Sequence, residues 1–311
     1  MEICTDNISF ANKVLLTEPR WRHYDSGDYP TTLRALVQAL FSSHEIYGQS
    51  IDGNYCWKYL FISEFASSSQ YDQLIHLSRN QVPLPDGILC LAGSGGGFHG
   101  LENRPWISLP GNIHLSAFLS PMRAIANFNV GFTTVSAVSV IDTIDSIGGL
   151  ENMAGIKWVN DILMHDAKVC GVIAHSQTQG DTVTGVVLGI GLNVLTAPDI
   201  ETTPFVPRTG CLRDFASDDH VCGQRLVLGR LIHHLDRNYR RLLSGGYYDL
   251  LNRYRNRSLI IGKKVMIQQN STDGGRIETV EGEVIRIGDN LELYLNNIDS
   301  PIYKGRLILK G

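Results

Sequence analysis

Apolar residues recur at helical spacing in "TTLRALVQALFSS" (Thr31 to Ser43), which places Leu33, Val37 and Leu40 on one face. Thr31 or Thr32 stands where an N-cap is expected. "YCWKYLFISEF" (Tyr55 to Phe65) predicts a buried strand, and "SSSQYDQLIHLSRN" a loop entering a helix. "GILCLAG" and "GNIHLSAFLSP" read as two further strands. From Ala124 to Ile147, small and β-branched residues fit a central helix. Three strand-like segments follow, "GIKWVNDILM", "AKVCGVIAHSQ" and "TVTGVVLGIGLNV". The polar turns between them, "HD" and "TQGD", read as hairpin connections.

Gly223 to Ser258 is helical in pattern, with a break at Gly245-Gly246. Its basic residues are read as a solvated face. After Ser258 the texture changes to short β segments: "KKVMIQQ", "TVEGEVIRIG", "LELYLNN" and "PIYKGRLILKG". Strands in hairpins with helices inserted elsewhere predict an α+β fold with a mixed sheet, not a doubly wound parallel one. The expected organisation is an accessory segment (1–54), a catalytic domain (55–258) and a small SH3-like β-barrel domain (259–311).

Composition narrows the function classes. At 311 residues, 43% hydrophobic and 19% charged, the chain can bury a large core and divide into domains. A net charge of −4 with no basic block argues against nucleic acid as a partner. The six cysteines are scattered without a CxxC pair, so neither a disulfide framework nor a zinc site is expected. "MEICTDNISF" lacks the apolar run of a signal peptide, and no window approaches a membrane span. A cytoplasmic protein is the resulting expectation.

Three segments suggest chemistry. "LAGSGGGFHG" has the texture of an anion-wrapping turn, because glycine amides can approach an anion closely. Yet no Lys or Arg lies between Gly93 and Gly100. Lys157, flanked by apolar residues on a strand, should meet an anion or a carboxylate if buried. Gly189 and Gly191 interrupt a strand, where a bulge or a ligand against the backbone is common.

Taken in order, these residues resemble the biotin protein ligase family, within the broader biotin/lipoate ligase fold. Lys157-Trp158-Val159-Asn160-Asp161 is similar to that family's KWPND, and Lys168 to Ile173 to its KIAGIL. Gly189-Ile190-Gly191-Leu192-Asn193-Val194 is similar to GIGINV. Ser67, Ser68 and Ser69 fall on its Ser-Thr-Asn turn, while Trp106, Ser108, Gly111, Asn112 and Ser116 match its W-(F/L/I)-S-P-x-G-N-x-Y-x-S segment.

The resemblance implies that biotin and MgATP give an acyl-adenylate, which a lysine on a biotin carboxyl carrier domain then attacks. It makes Lys157 the catalytic cation between carboxylate and α-phosphate. Substrate contacts are implied for Ser67, Ser68, Ser69, Gly95, Gly96, Gly97, His99, Gly100, Trp106 and Gly171. Nucleotide contacts are implied for Arg104, Asn160, Asp161, Gly189, Gly191 and Asn193. ATP and Mg²⁺ are implied, without a readable ligand set for the metal, and a homodimer is possible in such a family.

The chain departs from the family in the adenylate loop, whose arginine positions fall on His99, Leu101 and Glu102, or on Ser94 and Gly96. Weakened turnover is expected, since one charge-assisted hydrogen bond is worth about 1.5–3 kcal/mol. "SGGGFHG" also resembles the lipoate ligase loop, which keeps lipoate or octanoate open as the acyl group. A ligase-like binding protein without turnover is the third reading. His99 is expected on an exposed loop, His114 as a structural residue, and His233 and His234 at the surface. For Arg104, a phosphate contact and a structural salt bridge are both open.

Overall fold

The computed structural model describes residues 1–310 except 17–19, 26–27, 42, 44, 81, 207, 219–220 and 271–276. Residues 1–50 supply β1 (Glu2–Thr5), α1 (Ile8–Val14), β2 (Arg22–Tyr24), α2 (Arg34–Leu40) and β3 (Ile46–Ser50). The chain then forms β4 (Tyr59–Ala66), α3 (Gln70–Arg79), β5 (Ile88–Gly95), β6 (Ile113–Leu119), β7 (Arg123–Ala124) and α4 (Phe128–Asp145). Next come β8 (Ala154–Lys157), β9 (Asp161–Met164), β10 (Ala167–Gln179), β11 (Thr182–Leu192) and β12 (Arg208–Thr209). Helices α5 (Gln224–Leu243) and α6 (Tyr247–Asn256) precede β13 (Lys264–Asn270), β14 (Ile277–Ile287), β15 (Leu293–Leu295) and β16 (Arg306–Leu309).

The main sheet has twelve strands in the order β2-β3-β1-β4-β5-β6-β11-β10-β9-β8, with β7 on β11 and β12 on β10. It is mixed, as the hairpin pattern predicts: β1, β4 and β5 run parallel, whereas β5, β6, β11, β10, β9 and β8 alternate. One face is covered by α4, which is buried nearly all round and flanked by α5 and α6. Ser136 and Thr143 each donate to the carbonyl four residues back, while Ser139 donates across to His234 O of α5 (3.3 Å). On the other face α2 and α3 pack Leu36, Leu40 and Leu74 against Phe61 and Ile88.

Several expectations change. Residues 31–33 form a 3-10 turn leading into α2, and neither Thr31 nor Thr32 makes a capping hydrogen bond. The helix expected from 124 begins at Phe128, because Arg123 and Ala124 pair with β11 instead. The segment 155–164 is a hairpin, β8 and β9, and the turn between them brings Lys157 opposite Asp161. That turn is pinned by Tyr254 Oη donating to Val159 O (2.8 Å) and Asn160 Nδ2 donating to Val172 O (2.8 Å).

The basic face of α5 and α6 is only partly solvated. Arg237 and Arg253 meet Asp142 of α4, and Arg257 meets Asp145. His234 is mostly buried, 3.9 Å from Asp142, and not a surface residue. The helices need these pairs because two aspartates of the central helix face them.

The last strands form a separate four-stranded antiparallel sheet in the order β15-β14-β13-β16. It is docked firmly. Trp158 Nε1 donates to Leu291 O (2.6 Å), Arg255 Nε to Ile287 O (2.9 Å), and the two sheets share one hydrophobic core. No helix among the described residues is long and apolar enough to cross a membrane.

Candidate active-site cleft

The glycine loop leaves β5 and immediately spends its amides internally. Gly95 N donates to Ser108 Oγ (3.0 Å), which in turn donates to Gly95 O (2.6 Å). Gly96 N donates to Ala66 O (3.0 Å). Gly97 has φ +69°, the left-handed conformation that favours glycine. Gly95, Gly96 and Gly97 therefore shape a turn whose first two amides face the protein. The chain then doubles back as a hairpin, Trp106 N donating to Phe98 O (2.9 Å) and Gly100 N to Arg104 O (2.8 Å).

Beneath this hairpin lies a cleft of about 240 Å³. Its floor is formed by β10 and β11 at Gly171, Gly189 and Gly191. The glycines make room: a Cβ on Gly191 would stand 2.6 Å from Trp106 Cζ2, and one on Gly189 would stand 2.8 Å from Ile173. Trp106 lies across the floor, held by its Nε1 donating to His114 Nδ1 (3.2 Å). His114 is therefore the tautomer protonated on Nε2, which donates to Leu109 O (3.2 Å). Burial pushes its pKa down to about 4, so it stays neutral. This agrees with the structural role expected of His114.

His99 departs from the expected exposed loop residue. It lines the cleft, with Nε2 2.9 and 3.0 Å from the two Asp72 oxygens and Nδ1 3.0 Å from Gly100 O. Both nitrogens face acceptors, so only the doubly protonated ring donates at both ends. Burial opposes the charge, but the hydrogen bonds and the Asp72 carboxylate outweigh it, and the pKa rises. The missed signal is Asp72, which the helix register of α3 brings to the loop.

The serines divide. Ser69 is buried, lines the cleft, and caps α3 by accepting from Asp72 N (3.2 Å). Ser68 Oγ accepts from Gln73 Nε2 (3.0 Å), and neither Ser67 nor Ser68 borders the cleft.

At the other end of the cleft stand Asn160, Asp161 and Asn193. Their amides are structural anchors in part: Asn193 Nδ2 donates to Gly210 O (3.0 Å), and Asn112 Nδ2 to Asn193 Oδ1 (3.3 Å). Asn112 also accepts from the amides of Val194, Leu195 and Thr196, fixing the loop that closes this end. Asp161 meets Lys168 Nζ at 2.7 Å.

Lys157 borders a small recess of about 30 Å³ beside the main cleft, and its ammonium donates to the Phe205 carbonyl. The anion or carboxylate expected for it is thus not a direct protein partner: Asp161, which faces it across the hairpin, is taken by Lys168. Burial, with the nearby charges of Lys168 and Arg104, outweighs Asp161 and lowers the Lys157 pKa to about 8. Arg104 borders both spaces, makes no ion pair among the described residues, and donates Nε to Leu101 O (3.0 Å). The arrangement is a glycine-floored apolar slot ending in cations, suited to an apolar acid joined to a phosphate. Among the described residues no three His, Cys, Asp or Glu side chains converge as a metal site.

Residues 64–193 match the biotin/lipoate A/B protein ligase family. The chain is 26% identical over 243 residues to the bifunctional ligase/repressor BirA of Bacillus spizizenii, covering 76% of this chain and 70% of that one. It is 34% identical over 101 residues to a biotin–[acetyl-CoA-carboxylase] ligase of Paracoccus denitrificans, covering 32% of this chain and 41% of that one. The fold is similar to that of the Aquifex aeolicus biotin protein ligase solved with biotin and ATP. The TM-score is 0.61 at 18% identity, over 82% of this chain and 99% of the other.

Proposed function

We propose that this chain is an ATP-dependent biotin–protein ligase of the biotin/lipoate A/B protein ligase family, whose model matches residues 64–193. One observation carries the reading. The glycine floor under Trp106 leads directly to Lys157, Lys168 and Arg104, with Asp161 the mostly buried carboxylate among them.

Two anions must approach for the first step, a carboxylate and an α-phosphate, so fixed cations offset their repulsion. In this reading Lys157 leaves Phe205 O to bridge the two, and the carboxylate oxygen attacks the α-phosphorus with release of pyrophosphate. A lysine amine of a biotin carboxyl carrier domain then attacks the acyl carbon and AMP leaves. Ser69 and its neighbours Ser67 and Ser68 would serve the polar end of the acid once the turn rearranges around it. Trp106 and Gly171 would enclose its apolar part. Gly189, Gly191, Asn160, Asp161, Asn193 and Arg104 would face the nucleotide, and Gly95, Gly96, Gly97 and Gly100 give the covering loop its turns.

Magnesium fits only as part of the nucleotide complex, because the described residues offer no carboxylate set for it; Mg²⁺ commonly rides on substrate phosphates. The proposed division is 1–54, 55–258 and 259–311, with the last unit an SH3-like barrel. The segment 1–54 is proposed as an accessory to the catalytic domain, its β1 and β3 extending the main sheet. The cytoplasm, and a homodimer of unchanged sites, complete the reading.

Lipoate remains the second reading, because Ser94 to Gly97 and His99 resemble the lipoate ligase loop in sequence and His99 lines the cleft. Calorimetric titration of the protein with biotin and with lipoate separates them. Binding of biotin and not lipoate supports the assignment, and the absence of biotin binding removes it.

A further inference from the structure

The hairpin over the cleft keeps its backbone hydrogen bonds to itself. Trp106 N donates to Phe98 O, Gly100 N to Arg104 O and Arg104 N to Leu101 O. Arg104 Nε also donates to Leu101 O. The tip turns through Glu102 and Asn103 at φ 58° and 56°, a left-handed conformation that is unfavourable away from glycine. Phe98 rests against the His114 ring, an apolar contact without directional hold. Self-pairing of this kind shapes a hairpin but does not fix its angle to the sheet.

One polar contact crosses from residues 98–105 to another element among the described residues: His99 Nε2 meets both carboxylate oxygens of Asp72 on α3. Gly100 O accepts from Nδ1 at 3.0 Å and so aims Nε2 at the helix. The Tyr71 ring backs the imidazole edge-on at 6.0 Å. Asp72 stands in the first turn of α3, where the helix dipole favours its charge, and its amide donates to the Ser69 cap. The pair therefore joins the hairpin to the turn that carries Ser69 on the cleft wall. With Asp72 50% exposed and His99 20%, the contact is weaker than a buried pair, so it can break and re-form.

Two residues of the cleft ride on this hairpin. Trp106 ends it and lies over Gly191, and Arg104 borders both the cleft and the recess beside Lys157. We propose that His99 and Asp72 are positioning residues: their ion pair pins the covering hairpin to α3 and thereby holds Trp106 and Arg104 over a bound acid. The assignment rests on the reading of the cleft as an acid site and adds how the acid is retained. Release then needs the pin to open. Loss of the pin speeds departure of the acid without slowing its arrival.

The test reads the hairpin first without ligand and then with biotin, at pH 6, where His99 carries its charge. Hydrogen exchange in the free full chain should quicken about three- to tenfold at the Gly100, Arg104 and Trp106 amides in His99→Leu and in Asp72→Asn. Strands β5 and β6 should exchange as in wild type. Release of labelled biotin after an unlabelled chase should accelerate by the same factor, with no fall in the association rate. His99→Arg, which keeps a cation, should restore slow exchange and slow release. The double change His99→Leu with Asp72→Asn should be no faster than either single one. Wild-type exchange of the hairpin in His99→Leu, an increase spread equally over β5 and β6, or unchanged release of biotin overturns the proposal. Faster exchange confined to the hairpin, in a protein that binds no biotin, keeps the pin and discards the acid.

Discussion

Lys168 Nζ sits 2.7 Å from Asp161 Oδ1 across the β9–β10 hairpin, with both side chains mostly buried. The carboxylate opposite Lys157 is thus already neutralised, which leaves Lys157 free to meet an incoming anion. Lys168→Met strands the Asp161 charge, and a loss of about 1–3 kcal/mol is expected, less than for a fully buried pair. The double change Lys168→Met with Asp161→Leu should recover much of it. Urea unfolding of the three variants measures this; equal stability of Lys168→Met and wild type contradicts the pairing.

Lys157 carries its charge only below about pH 8, because burial depresses its pKa to that value. As pH rises through 8 the ammonium is lost, so kcat/KM for adenylate formation should fall on an alkaline limb near there. The free enzyme's pKa governs that parameter. Replacement by arginine should move the limb upward on whatever activity remains. A flat wild-type profile to pH 9.5 contradicts the role.

The His99–Asp72 contact predicts a stability change of definite sign. The folded pKa lies above the ordinary imidazole value, so the pair's stabilisation is fully present below about pH 6.5. It is lost as pH rises through the raised folded value. The Tm gap between wild type and His99→Leu should be largest near pH 6 and shrink by pH 9. A gap that grows with pH contradicts a cationic His99.

The two floor glycines should respond differently to alanine. At Gly191 a Cβ collides with the Trp106 ring, whereas at Gly171 its nearest neighbour is Trp106 Cζ3 at an ordinary 3.5 Å. Gly191→Ala should expel the indole, changing tryptophan emission and weakening the acid's binding by tenfold or more. Gly171→Ala should leave emission near wild type. Identical spectra for the two variants contradict the seating of Trp106.

The run of apolar and small residues revealed deeply buried elements such as β4, β11 and α4, because burial on nearly every side imposes that texture. Periodicity passed over β1 and β2, whose few residues are too short to show alternation, and it ran β8 and β9 together. The "WVN" turn is held by Tyr254 and Val172, distant groups that no local pattern reports. Motifs led to Lys157, Trp106, Gly191 and Asn193, since each lies in a short contiguous string of residues on its own strand or loop. Arg306, on β16, was invisible for the opposite reason: only the docking of the C-terminal sheet brings it to the cleft. His99 was read as exposed because its partner, Asp72, lies on another element.

The central claim is that this cleft joins an acid to the α-phosphate of ATP. Exchange of labelled pyrophosphate into ATP, measured with biotin, with lipoate and with no acid, tests it most directly. The account predicts exchange that requires biotin and that Lys157→Ala abolishes. No exchange with any acid, or exchange that survives Lys157→Ala, would contradict it.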